Sequence, residues 1–291
     1  MDLPSRVQAW RERGREEEFR GRRIHLFVRG GRGPLLVFLH GFPSSSYDWR
    51  LLLDHETEHA VIAPDFLGFG LSDKPRDHRY TLSWQADLIE ELVRRRDLEG
   101  PAFLVAHDMG TSVATELMAR DLEGVHRIEI AGALLLNGSM VQGAASPTLG
   151  QRILRSPLGP LFSRLSTERF FRQQFGSIFS PRHPLSEQEA EDQWELICAG
   201  GGRTLNHKTI AYMEERFRYA ERWHGALSEW DKPLSLAWGM LDPVATRAVL
   251  DAVVELRPAV PVTRFDDLGH YPQLEDPGRV AEALSRALPD A

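Results

Sequence analysis

The chain has 291 residues, is 42% hydrophobic and carries a formal charge of −7. That suffices for one large α/β domain with an insertion, or for two smaller domains. It argues against a nucleic-acid partner, which needs a concentrated excess of Lys and Arg. Cys198 is the only cysteine, so no internal disulfide can form; with a charged stretch from Met1 to Arg32 and no apolar run near the ~20 residues of a membrane span, a soluble cytoplasmic protein without a transmembrane segment is expected, acting on a small neutral apolar substrate.

In chain order, residues 6–20 mix both charge signs around Trp10 and Phe19, the pattern of a short solvated helix docked by its aromatics. Residues 24–28 and 35–39 read as strands, and the glycines between them as a hairpin turn. A third strand covers 61–63. The segment 65–75 has Gly68 and Gly70 but lacks the third glycine of a dinucleotide fingerprint. Residues 81–96 form an amphipathic helix whose Arg94-Arg95-Arg96 end suits the negative pole of the helix dipole. Then 103–106 is a short apolar strand and 111–120 carries helical spacing, so Ala106-His107-Asp108-Met109-Gly110 between them is a sharp strand-to-helix turn with Asp108 at its apex. Residues 128–136 are a further strand, closed by Asn137-Gly138. From 139 to about 224 strand-like runs vanish and helices rich in Phe, Tyr and Trp take over, as in an insertion that covers a pocket. The α/β rhythm returns with a strand at 234–238, a helix at 246–256, a strand at 260–265 and a helix at 277–288. Alternation of this kind favours a mostly parallel central sheet with helices on both faces. The expected division is a core of 1–138 and 226–291 with a helical cap at 139–225, inserted after the sixth strand.

Open parallel sheets gather reactive groups beyond the carboxyl ends of their strands. Those ends offer His40-Gly41-Phe42-Pro43, Asp108, Asn137, Asp242 and His270. The order nucleophile, acid, histidine is that of a hydrolase triad, with Asp108 at the apex where serine usually stands. Asn137 cannot ionise, so Asp242 is left as the partner of His270, whose imidazole is expected to stand exposed on a loop. Attack by a carboxylate on an ester carbonyl would give an anhydride, whereas attack on an electrophilic saturated carbon gives a stable alkyl ester. His270, oriented by Asp242, would then activate the water that cleaves this ester, with the backbone N–H groups of Phe42 and Met109 as oxyanion donors. His107 reads as a structural hydrogen-bonder, and Ser112, inside the following helix, as a weak rival nucleophile. No group has metal-ligand spacing, so neither metal nor cofactor is expected.

The segments His40-Gly41-Phe42-Pro43-Ser44-Ser45-Ser46-Tyr47-Asp48-Trp49, Asp65-Phe66-Leu67-Gly68-Phe69-Gly70-Leu71-Ser72-Asp73-Lys74-Pro75, Arg222-Trp223-His224-Gly225-Ala226-Leu227, Leu241-Asp242-Pro243-Val244 and His270-Tyr271-Pro272-Gln273-Leu274-Glu275-Asp276-Pro277 make the chain similar to the α/β-hydrolase superfamily. It resembles the branch of epoxide hydrolases and haloalkane dehalogenases, most closely the mesoderm-specific transcript protein-like hydrolases. The resemblance implies a cis peptide before Pro43 and a pocket that takes in His40, Pro43, Trp49, Asn137, Trp194 and Trp223. It also implies a cap tyrosine, here Tyr212, as donor to an epoxide oxygen. Tyr212 and Tyr219 are expected on one packed helical face. A dehalogenase would instead hold its halide with N–H donors, which Met109 and Phe42 lack in their side chains and which Trp194 or Trp223 would have to supply. Epoxide hydrolysis to a diol leads, haloalkane dehalogenation is the alternative, and a non-enzymatic or lipid-associated member of the fold is the third reading.

Overall fold

The computed structural model describes residues 3–96 and 100–289. Its strands are β1 (Gly14–Phe19), β2 (Arg22–Arg29), β3 (Arg32–Leu39), β4 (His59–Pro64), β5 (Ala102–His107), β6 (Ile130–Leu136), β7 (Leu234–Gly239) and β8 (Val262–Phe265). They form one eight-stranded sheet in the order β1-β2-β4-β3-β5-β6-β7-β8. β2 pairs antiparallel with β1 and β4, and every other pair is parallel. The helices are α1 (Ser5–Arg13), α2 (Arg50–His55), α3 (Leu82–Arg94) and α4 (Met109–Leu122), followed by α5 (Leu149–Leu154), α6 (Gly159–Leu165), α7 (Glu168–Gly176), α8 (Glu187–Cys198), α9 (Asn206–Thr209), α10 (Tyr212–Arg218) and α11 (Ala220–Glu229). After β7 come α12 (Arg247–Leu256), α13 (Pro272–Glu275) and α14 (Pro277–Ala287).

The interior strands are apolar at consecutive positions because both of their faces are covered. Side chains alternate between the two faces. Leu35, Val37 and Leu39 of β3 and Leu104 of β5 share one core with Leu88 of α3, Val113 of α4 and Val249 of α12. Leu36 and Phe38 of β3 and Phe103 of β5 share the other with Trp10 of α1, Leu52 of α2 and Val280 of α14. This is the α/β-hydrolase fold, and it brings the carboxyl ends of β3, β5, β6, β7 and β8 to one rim.

Three expectations need correction. Residues 24–28 and 35–39 do lie in strands, but β2 and β3 are no hairpin: β4 lies between them, antiparallel to one and parallel to the other. Of these glycines Gly31 is needed for contact with β4, since a Cβ on it would fall 2.1 Å from the backbone of His59. The helix expected over 6–20 stops at Arg13, and residues 14–19 become the edge strand β1, although Trp10 and Phe19 are buried anchors as read. Tyr212 and Tyr219 do not share a packed face: Tyr212 is buried and Tyr219 is 41% exposed where α10 gives way to α11.

A charged cluster fastens α3 to α4. Arg120, on the buried side of α4, donates to Glu116 at 3.0 Å, Asp87 at 2.8 Å, Glu90 at 2.7 Å and Ser83 at 2.9 Å. An Arg120→Met substitution leaves three carboxylates without their common cation, and the expected loss is about 3 to 5 kcal/mol of stability. Urea unfolding followed by circular dichroism measures it; a loss well under ~1 kcal/mol would show that the cluster is solvated rather than structural.

Candidate active site

Asp108 follows β5 directly and opens α4 with a φ of 44°, a left-handed backbone that few non-glycine residues adopt. The turn closes only because its surroundings are small. A Cβ on Gly110 would meet the Leu39 carbonyl oxygen at 2.2 Å, and one on Gly41 would lie 2.9 Å from the Asp108 Cβ. The strained carbonyl of Asp108 accepts from the Thr111 hydroxyl at 2.6 Å and from Arg216 Nη2 at 3.0 Å. Its carboxylate is almost wholly buried, yet Oδ2 accepts the Phe42 N–H at 2.9 Å. The Phe42–Pro43 peptide is cis. Met109 is the first residue of α4, and among the described residues its N–H makes no hydrogen bond to that carboxylate.

Arg216 is the residue the sequence reading missed. It projects from α10 into the interior, 1% exposed, with Nε donating to Ser112 Oγ at 2.8 Å and Nη2 lying 3.7 Å from Asp108 Oδ1. Its guanidinium stands 4.7 Å from the centre of the Tyr212 ring. Burial works against the charge on Asp108, but Arg216 above all, then His270, hold its carboxyl below the usual carboxylate range. Ser112, the rival nucleophile, is thus an anchor for Arg216. The one signal available was spacing: Arg216 lies four residues after Tyr212 and so on the same face of the helix.

Asp242 and His270 meet beyond β7 and β8. His270 Nδ1 donates to Asp242 Oδ2 at 2.7 Å. The other oxygen of Asp242 accepts the N–H groups of Val244 at 2.7 Å and Ala245 at 3.1 Å. Asn137 donates to Asp242 Oδ2 at 2.7 Å and accepts the Gly239 N–H at 2.9 Å, so it braces the acid and does not line the cavity. The imidazole expected to be exposed is 3% exposed, because the loop that carries it is tied inward. His270 N–H donates to the Ile178 carbonyl at 2.9 Å, and Glu275 accepts from Gly269 and Ser180. Burial opposes protonation of His270, yet the charge of Asp242 and its hydrogen bond raise the pKa above the ordinary imidazole value. His107 donates to the His270 carbonyl at 2.7 Å. Burial pushes its own pKa down to about 3, which suits a neutral brace.

A cavity of about 100 Å³ adjoins the site, and Phe42, Pro43, Val244 and His270 form its floor. Its walls come from the helices between β6 and β7, among them Leu154, Phe162, Phe171, Phe175 and Trp194. Of the expected pocket residues, Pro43 and Trp194 line it. The others do not, each for a visible reason. His40 accepts the Phe66 N–H at 2.9 Å beneath the sheet rim. Trp49 packs in the core against Phe38, and Trp223 donates its indole N–H to Glu116 at 2.9 Å. Tyr212 stands beside the floor, its ring 5.8 Å from that of Phe42 and its hydroxyl buried without a hydrogen-bond partner among the described residues. Burial first, then the Asp108 charge, raise its pKa far above the phenol range, so it stays protonated.

Comparison with known proteins agrees with this architecture. Residues 36–283 match the alpha/beta hydrolase family. LipZ of Mycobacterium tuberculosis is 49% identical over the whole of both chains. The human mesoderm-specific transcript homolog protein is 35% identical, over 94% of this chain and 85% of its own. Among solved structures, the haloalkane dehalogenase DatA from Agrobacterium tumefaciens superposes with a TM-score of 0.78 at 22% identity, over 94% of each chain.

Replacing Arg216 by Met removes the nearest cation from a buried carboxylate. In the unaltered protein Asp108 keeps its charge as the pH falls below the ordinary carboxylate value. In Arg216→Met it should take up its proton at a higher pH, because burial then opposes the charge with its main counter-charge gone. Carbon-13 NMR of labelled aspartate, assigned by difference from Asp108→Asn, reads this directly; an unmoved titration would mean that Arg216 is not the counter-charge.

Proposed function

This chain belongs to the alpha/beta hydrolase family, and on that premise we propose that it is a cofactor-independent hydrolase with Asp108 as nucleophile, acting through a covalent alkyl ester, with an epoxide as the best-fitting substrate class. The observation that carries the reading is the state of Asp108. A buried carboxylate kept ionised by Arg216 already holds an N–H donor, Phe42, on its own oxygen. A donor there serves a tetrahedral intermediate formed on the aspartate itself. The helices between β6 and β7 act as a cap that keeps water from an apolar cavity.

The steps balance. One Asp108 oxygen attacks a ring carbon, the carbon–oxygen bond breaks with its electron pair on oxygen, and the alkoxide takes the phenol proton of Tyr212. His270 then removes a proton from water, and the hydroxide adds to the Asp108 carboxyl carbon. Negative charge collects on Oδ2, which faces the Phe42 N–H, and the nearby guanidinium of Arg216, deprived of its counter-ion by esterification, offsets that charge. Collapse expels the second alkoxide, which takes the His270 proton and leaves as a diol. The proton remaining on Asp108 restores the phenol of Tyr212. A halide would depend on Trp194 alone for an indole donor, since Trp194 lines the cavity while Trp223 gives its N–H to Glu116.

Incubation of His270→Gln with a styrene-type epoxide should arrest the reaction at the ester, seen by mass spectrometry as an adduct on the Asp108 peptide. Tyr212→Phe should slow ring opening by about a hundredfold. Bromide release from a bromoalkane without diol formation would replace the epoxide reading by the halide one. No adduct with either compound would remove the covalent mechanism.

A further inference from the structure

The first two helices of the insertion carry an unusual surface. Leu149 is 60% exposed, Leu158 64%, Leu161 56% and Leu165 67%, all within α5, α6 and the residues joining them. Between 148 and 176 the sequence holds five arginines, Arg152, Arg155, Arg164, Arg169 and Arg172, against one acid, Glu168. Arg155 reaches Glu214 and Arg172 reaches Glu168, while the other three, all exposed, have no ion pair among the described residues. The same two helices turn Leu154, Phe162 and Ser163 into the wall of the active-site cavity. Part of this hairpin therefore walls the pocket, while its leucines stand exposed on a segment whose unpaired arginines lie on α5, α6 and the start of α7.

We infer that the α5–α6 hairpin docks on the surface of an anionic phospholipid bilayer, with its leucines in the headgroup boundary and its arginines on the lipid phosphates. Exposed leucines beside arginines are the composition of interfacial segments. Apolar patches of this kind are otherwise kept off protein surfaces. Charge selects the occupant. The protein as a whole carries −7, whereas this segment holds five arginines against one acid, so this face is drawn to an anionic surface and docking turns the cavity wall toward the bilayer. A second copy of the chain on a two-fold axis would instead bring the arginines against one another. The position of the patch suits an enzyme whose apolar substrate dissolves in lipid, but vesicle binding does not depend on that reading of the reaction.

The test is sedimentation with vesicles of phosphatidylcholine alone and of phosphatidylcholine mixed equally with phosphatidylglycerol. The unaltered protein should bind the mixed vesicles, more weakly as salt is raised, and bind phosphatidylcholine poorly. Each buried leucine supports about a tenfold gain in partitioning, so Leu158→Gln/Leu161→Gln/Leu165→Gln should weaken binding by about a hundredfold or more. Each arginine contributes about fivefold on anionic lipid, so Arg152→Gln/Arg164→Gln/Arg169→Gln should lose the preference for phosphatidylglycerol. Both variants should keep the far-UV circular dichroism and the rate on a water-soluble epoxide. Equal binding by the leucine variant, or none by the unaltered protein, overturns the inference. So does a self-association that the leucine variant abolishes while no vesicles are bound. Vesicle binding without any epoxide turnover would leave the inference standing and count against the proposed reaction alone.

Discussion

A carboxylate taken out of water needs a partner for its charge, and the centre of this protein is built around supplying one. Asp108 is buried at the apex of a turn that only small neighbours permit, with its backbone at a φ of 44°. Arg216 meets both needs at once. One of its nitrogens donates to the strained carbonyl of Asp108 and lies 3.7 Å from the carboxylate. Since Arg216 is on α10 and Asp108 begins α4, the helical insertion is bound to the sheet through this contact, and the charge state of the site depends on the insertion being in place.

The second half of the site follows the same rule with different parts. Asp242 is buried and accepts two backbone N–H groups, an amide from Asn137 and the imidazole of His270. Every lone pair facing inward is used, so the acid is fixed and the ring orientation with it. The loop of His270 is anchored in turn by Glu275 and by the Ile178 carbonyl, again a tie between core and insertion. The cavity floor joins the two ionic pairs through His270 and Phe42, with Phe42 contributing its N–H to Asp108 and its ring to the contact with Tyr212.

Much of this was legible because each element announces itself locally. The apolar runs of β3, β5, β6 and β7 and the strand-end positions of Asp108, Asp242 and His270 need no knowledge of distant contacts. What failed was long-range. The insertion of β4 between β2 and β3 is a pairing choice that no local pattern records, and residues 14–19 become a strand only because β2 offers an edge. Arg216 was hidden by its neighbours: Glu214, Glu215 and Arg218 mark the segment as a solvated face, while the structure buries Arg216 and leaves Phe217 53% exposed. Hydropathy alone predicts the reverse, because the cation is drawn inward by a charge that lies over a hundred residues away in sequence. His40, Trp49 and Trp223 illustrate the opposite error, since proximity in sequence to the active-site loops says nothing of which way a side chain turns.

The proposed reaction requires Asp108 to form a bond to saturated carbon that water then cleaves at the carboxyl carbon. A single turnover in water enriched in oxygen-18, with enzyme in excess over substrate, separates this from direct attack by water. With a covalent ester the heavy oxygen enters the Asp108 carboxylate, detected in the peptide that contains it, while the first product molecule carries none. Label in the product of that first turnover, with an unlabelled aspartate, would contradict it.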